Sequence, residues 1–317
     1  MEVVRLDTLG PRGWPRPAVT LGNFDGLHRG HQALVAQAVA DARAQGGTAV
    51  LLTFDPHPSR VLAPERAPAT IMTLAQKAEI LERLGVDRMA VLPFTAALAA
   101  QTAEEFARGV LEGALQAKTV VVGAGFRFGQ GRTGDVAGLR RLGRTLGFQV
   151  HALRPVFHQG SPISSSRVRE ALARGDVAGA AEMIGRPFFI DGPIVRGLGR
   201  GRTLGIPTAN IAPVNETLPG NGVYACWVRV GGREAPLWPA VTNVGRRPTF
   251  GGAETTVEAH ILDVDEDLYD RPARLAFQVR LRAEQAFPGP EALVAQIRKD
   301  IARGRDALRA AGIPDGI

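Results

Sequence analysis

Residues 20–32 read Thr-Leu-Gly-Asn-Phe-Asp-Gly-Leu-His-Arg-Gly-His-Gln. Two imidazoles, His28 and His31, flank Arg29 and Gly30 where a β-type run gives way to a helical one. A helix start presents free backbone N–H groups and the positive end of a dipole, which together hold an anion. Each histidine can donate a ring N–H to a phosphate oxygen, and Gly30 lets the backbone come close. Such donors stabilise charge that grows on a phosphoryl group in a transition state. The bland alternative is a capped turn with two surface histidines. Residues 163–169, Ile-Ser-Ser-Ser-Arg-Val-Arg, repeat the chemistry at a second helix start, with hydroxyls and two arginines. An ordinary serine N-cap is the alternative there.

A third candidate lies at 197–210, Gly-Leu-Gly-Arg-Gly-Arg-Thr-Leu-Gly-Ile-Pro-Thr-Ala-Asn. Glycines with arginines suit a phosphate-wrapping loop, although the Gly-Lys-Ser/Thr ending of a P-loop is absent. Thr208 and Asn210 alternate in a β-like segment, so their oxygens share a face, and oxygen ligands suit Mg²⁺. Glu258 sits in a β-type run. Alone it would read as a solvent-facing carboxylate.

The elements that must position these residues fall into two textures. Up to residue 185, strand-like and helical segments alternate. Strands are expected at 18–22, 48–54, 88–92, 118–123 and 148–153. Helices are expected at 30–45, 73–84, 102–115 (opened by a capping box at Thr102), 135–146 and 166–174. This pattern predicts an open, largely parallel α/β sheet. From residue 186, Gly, Pro and β-formers take over. Short strands at 188–196, 222–230, 237–244, 255–263 and 273–282 predict an antiparallel barrel or sandwich, and 290–311 returns to a helical period. The expected domains are therefore 1–185 and 186–317.

The chain has 317 residues, 45% hydrophobic and 22% charged, close to ordinary globular usage. No run of about 18 apolar residues predicts a membrane span, and the N-terminus lacks a secretory signal pattern. The single cysteine, Cys226, suits a reducing compartment, so a cytoplasmic location is expected. The net charge of +7 favours anionic partners without choosing between nucleotides and nucleic acid. Basic residues are spread along the chain and aromatics are only 6%, few for a base-stacking surface.

The His-x-Gly-His motif with the downstream serine/arginine cluster resembles the nucleotidyltransferase superfamily. Gly22-Asn23-Phe24-Asp25-Gly26, Thr53-Phe54-Asp55-Pro56-His57-Pro58 and Val122-Gly123-Ala124-Gly125-Phe126-Arg127-Phe128-Gly129 are similar to one branch, the FMN adenylyltransferase half of bacterial bifunctional riboflavin kinase/FAD synthetases. The 197–210 loop with its Pro-Thr-Ala-Asn segment resembles the riboflavin kinase signature. Asn243-Val244-Gly245-Arg246-Arg247-Pro248-Thr249-Phe250, Thr256-Val257-Glu258-Ala259-His260 and Asp267-Leu268-Tyr269-Asp270 follow that pattern. The resemblance covers the whole chain.

It implies a Rossmann-like nucleotidyltransferase domain with a parallel sheet, then an antiparallel β-barrel with a C-terminal helix. It implies two reactions. Riboflavin plus ATP gives FMN in the second domain; FMN plus ATP gives FAD and pyrophosphate in the first. Mg²⁺ would attend the phosphates. His28 and His31 would face the ATP phosphates, with Gly22, Phe24 and Gly30 around them, and Asn23 and Asp25 beside the reacting groups. Ser164, Ser165 and Arg167 would hold the β/γ end. Phe54, Pro56, His57, Phe126, Phe128 and Arg247 would lie on the flavin side. In the kinase, Gly197, Gly199, Arg202 and Gly205 would wrap phosphate, Thr208 and Asn210 would hold the metal, and Glu258 would be the general base. Two departures stand out: Gly125 where the family has Asp or Asn, and Asp270 where it has Gly.

The expected partners are small molecules, with no nucleic acid or membrane, and self-association is left open. Three rivals make different predictions. A superfamily member acting on another phosphate ester would leave the Pro-Thr-Ala-Asn loop without a role. A nucleic-acid module would bind with a steep salt dependence and no turnover. A flavin carrier would bind without reacting.

Overall fold

The computed structural model describes residues 1–197, 201, 204–249, 252–264 and 266–314. The chain divides into two compact units, Met1–Ala69 with Leu74–Ser164, and Thr70–Thr73 with Ser165–Ile317.

The first unit is built on a six-stranded sheet whose strand pairs are all parallel. Its strands are β1 (Glu2–Arg5), β2 (Ala18–Leu21), β3 (Ala49–Asp55), β4 (Arg88–Pro93), β5 (Thr119–Gly123) and β6 (Gln149–Leu153), in the order β1-β4-β3-β2-β5-β6. The central strands are continuous apolar runs because helices cover both faces of a parallel sheet. All four residues of β2 are buried. The helices are α1 (Arg29–Ala44), α2 (Pro58–Leu62), α3 (Leu74–Arg83), α4 (Ala96–Ala99), α5 (Ala103–Phe106) and α6 (Val136–Leu146), and a two-stranded antiparallel ribbon, β7 (Phe157–His158) with β8 (Ser161–Pro162), follows them. One core cluster joins Val19, Leu21, Leu52, Leu92, Val120 and Val122 of the sheet to Phe106, Val110, Leu111 and Leu139 of the helices.

The short helices α2 and α4 were not expected, and two further details differ from expectation. The edge strand β1 is short and largely exposed, so its sequence carries no alternating signal. The helix expected over 102–115 starts at the Thr102–Glu105 capping box, then runs as a π-helix over Ala107–Ala114.

The second unit begins with α7 (Ser165–Ala173) and α8 (Val177–Ile184), which pack on each other. It continues as a closed antiparallel barrel in the order β10-β13-β12-β11-β14-β9. Its strands are β9 (Phe188–Val195), β10 (Ala209–Ile211), β11 (Gly222–Val230), β12 (Leu237–Thr249), β13 (Gly252–Ile261) and β14 (Pro272–Arg282). Closure gives every barrel strand two hydrogen-bonded neighbours. Helix α9 (Pro290–Ala311) packs on β11, β12 and β14. Compactness thus divides the chain between Ser164 and Ser165, earlier than the boundary expected at 185. The reason is that α8 packs against β9 and β14.

Candidate functional sites in the two units

In the first unit the strand order reverses direction at β2. Strand β3 lies on one side of β2 and β5 on the other, so β2 and β5 diverge at a topological switch point. In open α/β sheets ligands bind outside the carboxyl ends of the strands at such a point. Both motif loops sit there. Residues 22–28 follow β2, and residues 124–129 follow β5.

The first loop is held in an unusual shape by its own apolar anchors. Phe24 and Leu27 take left-handed backbone angles, φ 48° and 42°, which non-glycine residues rarely adopt. Such conformations persist where the surroundings over-determine them. Here both side chains are fully buried. Gly22 closes the strand by donating its N–H to the Leu52 carbonyl at 3.1 Å.

His28 is the N-cap of α1, and its Nδ1 accepts the His31 N–H at 3.3 Å. A Cβ at position 30 would press on the His28 ring, so Gly30 is what lets that imidazole lie over the helix start. The His28 and His31 rings stack, with centroids 3.6 Å apart, and Phe24 packs on His31 at 5.0 Å. Burial holds the His28 pKa down at about 4. Burial, then His28 and then Lys77, push that of His31 well below the usual value. Both rings are therefore neutral at pH 7. With its Nδ1 accepting, His28 carries its proton on Nε2, a donor. The Nδ1 of His31 is buried with no hydrogen-bond partner, an uncommon state that a polar ligand would relieve.

The His28 shift carries a sign for stability. The unfolded chain protonates His28 near 6.5 and the folded chain near 4. The unfolded state therefore binds more protons between these values, and stability falls as pH drops from 6.5 towards 4. The expected loss from this residue is about 3 kcal/mol. Melting temperatures recorded from pH 7 to pH 4.5 check this. The slope should be shallower in His28→Asn; an equal slope in both proteins would contradict it.

The Thr53–Pro58 segment meets the same loop. The Nδ1 of His57, the N-cap of α2, accepts the Ser59 N–H at 3.2 Å. A neutral His57 then carries its proton on Nε2, and the Asn23 carboxamide lies 3.0 Å from that atom. The nearest atom is Nδ2, and exchanging the amide oxygen and nitrogen gives the Nε2–H its acceptor. Asp25 is buried, Phe54 is half-buried with its ring edge-on to Phe94 at 5.6 Å, and Pro56 is exposed. Phe128 is buried against Phe106, and Phe126 stacks on it at 5.4 Å. Gly125 has open space where a side chain would start, so the backbone there accommodates the family's Asp or Asn. Ser164 ends the first unit; Ser165 and Arg167 occupy the first turn of α7 in the second.

In the second unit a cavity of about 370 Å³ is lined by Thr208, Asn210, Asn243, Glu258 and His260, and closed by Arg282, Phe287 and residues of α9. The ladder explains the grouping. Glu258 on β13 is paired with Asn210 of β10 on one side and Asn243 of β12 on the other. Paired residues point to the same face. The His260 ring meets the Pro207 carbonyl at 2.7 Å, pinning the chain next to Thr208. A Cβ on Gly197 would collide with the Asn210 carboxamide, so that close approach requires glycine. Gly205 takes a left-handed turn conformation, φ 72°. Arg282 forms an ion pair with the buried Asp300 of α9 at 2.9 Å, and Gln296 donates to the same carboxylate. Gly199 and Arg202 lie outside the described residues. The backbone of Arg247 pairs with Glu254 on the β12–β13 ladder.

Asn243, His260 and Arg282 were not singled out from the sequence as site residues. The signal for His260 was its spacing of two from Glu258 on one strand, which sets both on one face. Among the described residues no group of three His, Cys, Asp or Glu is arranged to hold a metal ion. Hydroxyl and amide oxygens at Thr208 and Asn210 instead fit a Mg²⁺ that arrives with nucleotide phosphates. No helix among the described residues is long and apolar enough to cross a membrane.

Comparison with known proteins agrees with these features. Residues 12–167 match the family described as FAD synthetase, and residues 184–308 the family described as riboflavin kinase. The chain is 39% identical over 288 residues to a bifunctional riboflavin kinase/FMN adenylyltransferase of Escherichia coli, covering 91% of each chain. It is 40% identical over 309 residues to the protein of that name in Pseudomonas fluorescens, covering 96% of this chain and 97% of that one. The Bacillus subtilis relative is 32% identical over 295 residues, covering 90% of each. A solved structure described as a macrolide-efflux protein from Streptococcus pneumoniae superposes with a TM-score of 0.86 at 30% identity, covering 96% of this chain and 99% of that one.

Proposed function

The chain belongs to the bifunctional riboflavin kinase/FMN adenylyltransferase family, and from that premise we propose which residues carry each of its two reactions. It phosphorylates riboflavin with ATP to FMN, and it adenylylates FMN with ATP to FAD and pyrophosphate. We assign adenylylation to residues 1–185 and phosphorylation to residues 186–317.

In adenylylation, an FMN phosphate oxygen attacks the ATP α-phosphate and pyrophosphate leaves. Little covalent chemistry falls to the protein, so positioning and electrostatics dominate. His28 and His31 donate to the ATP phosphates as neutral rings from the start of α1, with Gly22, Phe24 and Gly30 shaping the turn. Ser164, Ser165 and Arg167 hold the β/γ end. Asn23 and Asp25 lie beside the reacting groups, and Phe54, Pro56, His57, Phe126 and Phe128 take the flavin side; Arg247 is a flavin contact of the kinase half. The observation that carries this reading is the stacked, neutral histidine pair at the sheet's switch point.

In phosphorylation, the riboflavin 5′-hydroxyl attacks the ATP γ-phosphate. Glu258 takes the hydroxyl proton as that bond forms. Gly197, Gly199, Arg202 and Gly205 wrap the phosphates. Thr208 and Asn210 would hold Mg²⁺, which when bound neutralises charge on the transferred phosphoryl group. The shared cavity of Thr208, Asn210 and Glu258 supports this division of labour. Incubation with riboflavin, ATP and Mg²⁺, followed by chromatography for FMN and FAD, reads both steps. Chelating Mg²⁺ is expected to slow FMN formation by at least about 100-fold. An unchanged rate in excess chelator would remove the metal assignment.

The net charge of +7 then serves anionic nucleotides, with no nucleic-acid partner invoked. Burial pushes the Cys226 thiol up to about 12, which leaves the single cysteine unreactive. We place the reactions in the cytoplasm because a chain with one cysteine forms no internal disulfide and suits a reducing compartment.

A further inference from the structure

Lys77 is a cation in the wrong place for a helix surface. It lies on the core face of α3 beside Ile80 and Leu81, and only 6% of it is exposed. Lysine is almost never buried unless paired. Its Nζ donates to the Asn23 carbonyl at 2.7 Å and to Thr53 Oγ1 at 3.1 Å. Thr53 Oγ1 in turn donates to the same Asn23 carbonyl at 3.2 Å. One carbonyl of the motif loop is therefore gripped from α3 and from β3. The side chain of that same residue reaches His57. The backbone at position 23 thus connects the histidine side of the site to the Thr53–Pro58 segment.

We propose that Lys77 is a positioning residue for FMN adenylylation, fixing the Asn23 carbonyl so that the 22–28 loop and His57 keep a common geometry. The inference rests on the assignment of that reaction to the His28–His31 site. It adds a residue outside every motif. The loop needs such a clamp because Phe24 and Leu27 hold strained backbone angles on either side of Asp25.

The charged and titratable groups facing the ammonium are Asp25 of the loop, Asp55 of β3, and His31 at the start of α1, whose ring His28 stacks on. Burial lowers the Lys77 pKa to about 8, and the two carboxylates oppose that shift. The histidines are already neutral above pH 7 and do not titrate in the same range. In the free enzyme the ammonium charge, and with it the strength of the bond to the carbonyl, is expected to fall as pH rises through about 8.

The test follows FAD synthesis from supplied FMN in the full chain, with FMN formation from riboflavin as the internal control. The wild-type kcat/KM for FMN should fall as pH rises through about 8, because this ratio reports groups of the free enzyme. Lys77→Met should lower kcat about 100-fold with KM for FMN within about threefold, the signature of lost geometry. Its pH profile should be flat through that range. Lys77→Arg, which keeps the charge, should recover most of the rate and shift the falling limb beyond pH 9. Thr53→Val should cost about tenfold, because the carbonyl loses one of its two donors.

Folded Lys77→Met with FAD synthesis within threefold of wild type overturns the proposal. If that variant does not fold, a wild-type profile level to pH 9.5 together with an unaffected Thr53→Val overturns it. His28→Asn/His31→Gln runs alongside. Retained FAD synthesis in that double variant removes the site assignment itself. Its loss there without any effect at Lys77 or Thr53 removes only the clamp.

Discussion

His28→Asn combined with His31→Gln is expected to lower FAD synthesis by about 10⁴-fold while FMN formation continues at the wild-type rate. The choice of replacements matters. His28 caps α1 through Nδ1, and alanine there would remove the cap as well as the donor, costing about 1 kcal/mol. Asparagine keeps the cap and removes the imidazole. Each single variant should lose about 10²–10³, the usual effect of removing one preorganised donor to a developing charge. The double variant should lose less than the product, because the stacked rings act as a unit. The neutral state of both rings adds a second expectation. Between pH 6 and pH 8 the kcat/KM for ATP should show no limb from an ordinary histidine near 6.5. Chromatography of FAD formed from supplied FMN measures the first effect. A folded double variant within a few-fold of wild type would refute the assignment. Loss of both activities from a folded protein would refute independent sites.

Much of this arrangement was legible in the sequence, for physical reasons that differ by element. Buried parallel strands such as Ala18–Leu21 and Thr119–Gly123 must be apolar on both faces, so they read as continuous runs. Helix starts read well because capping restricts residue type: Thr102 with Glu105 is one case. The edge strand Glu2–Arg5 did not read, because a short strand with one covered side has no pattern to detect. The π-helical path of Ala107–Ala114 did not read either, since its buried residues fit an ordinary helical stripe. Strand β10 is three residues long and was visible only as the alternation of Thr208 and Asn210.

The site residues divide in the same way. Motif residues announce themselves because their spacing is local. Lys77 and Arg282 act across the fold, and their partners lie far away in sequence, at Asn23 and Asp300. Lys77 did leave a local trace. It occupies a core-face position of an amphipathic helix, three residues before Ile80 and four before Leu81. A charge in an apolar stripe is a conflict between pattern and residue type. Such conflicts concentrate at functional sites.

Glu258→Gln is expected to slow FMN formation by about 10²–10⁴-fold and to leave FAD synthesis from supplied FMN intact. Glutamine keeps the size and the polar contacts of the side chain but is not a base. The ladder supports this choice. Glu258 stands between Asn210 and Asn243, so alanine would open a gap between two carboxamides and confuse loss of a base with loss of shape. Glu258→Asp keeps the carboxylate and withdraws it by one methylene. It should lose at least about tenfold, because a general base must reach the hydroxyl within hydrogen-bond distance. The split between kinetic constants decides the role. A base acts only in the transition state, so kcat falls and KM for riboflavin stays nearly constant. If KM for riboflavin rises while kcat is kept, Glu258 is a binding group for the ribityl chain and the base lies elsewhere in the cavity. His260 is then the first residue to examine, since it lines the same cavity two positions further along the strand.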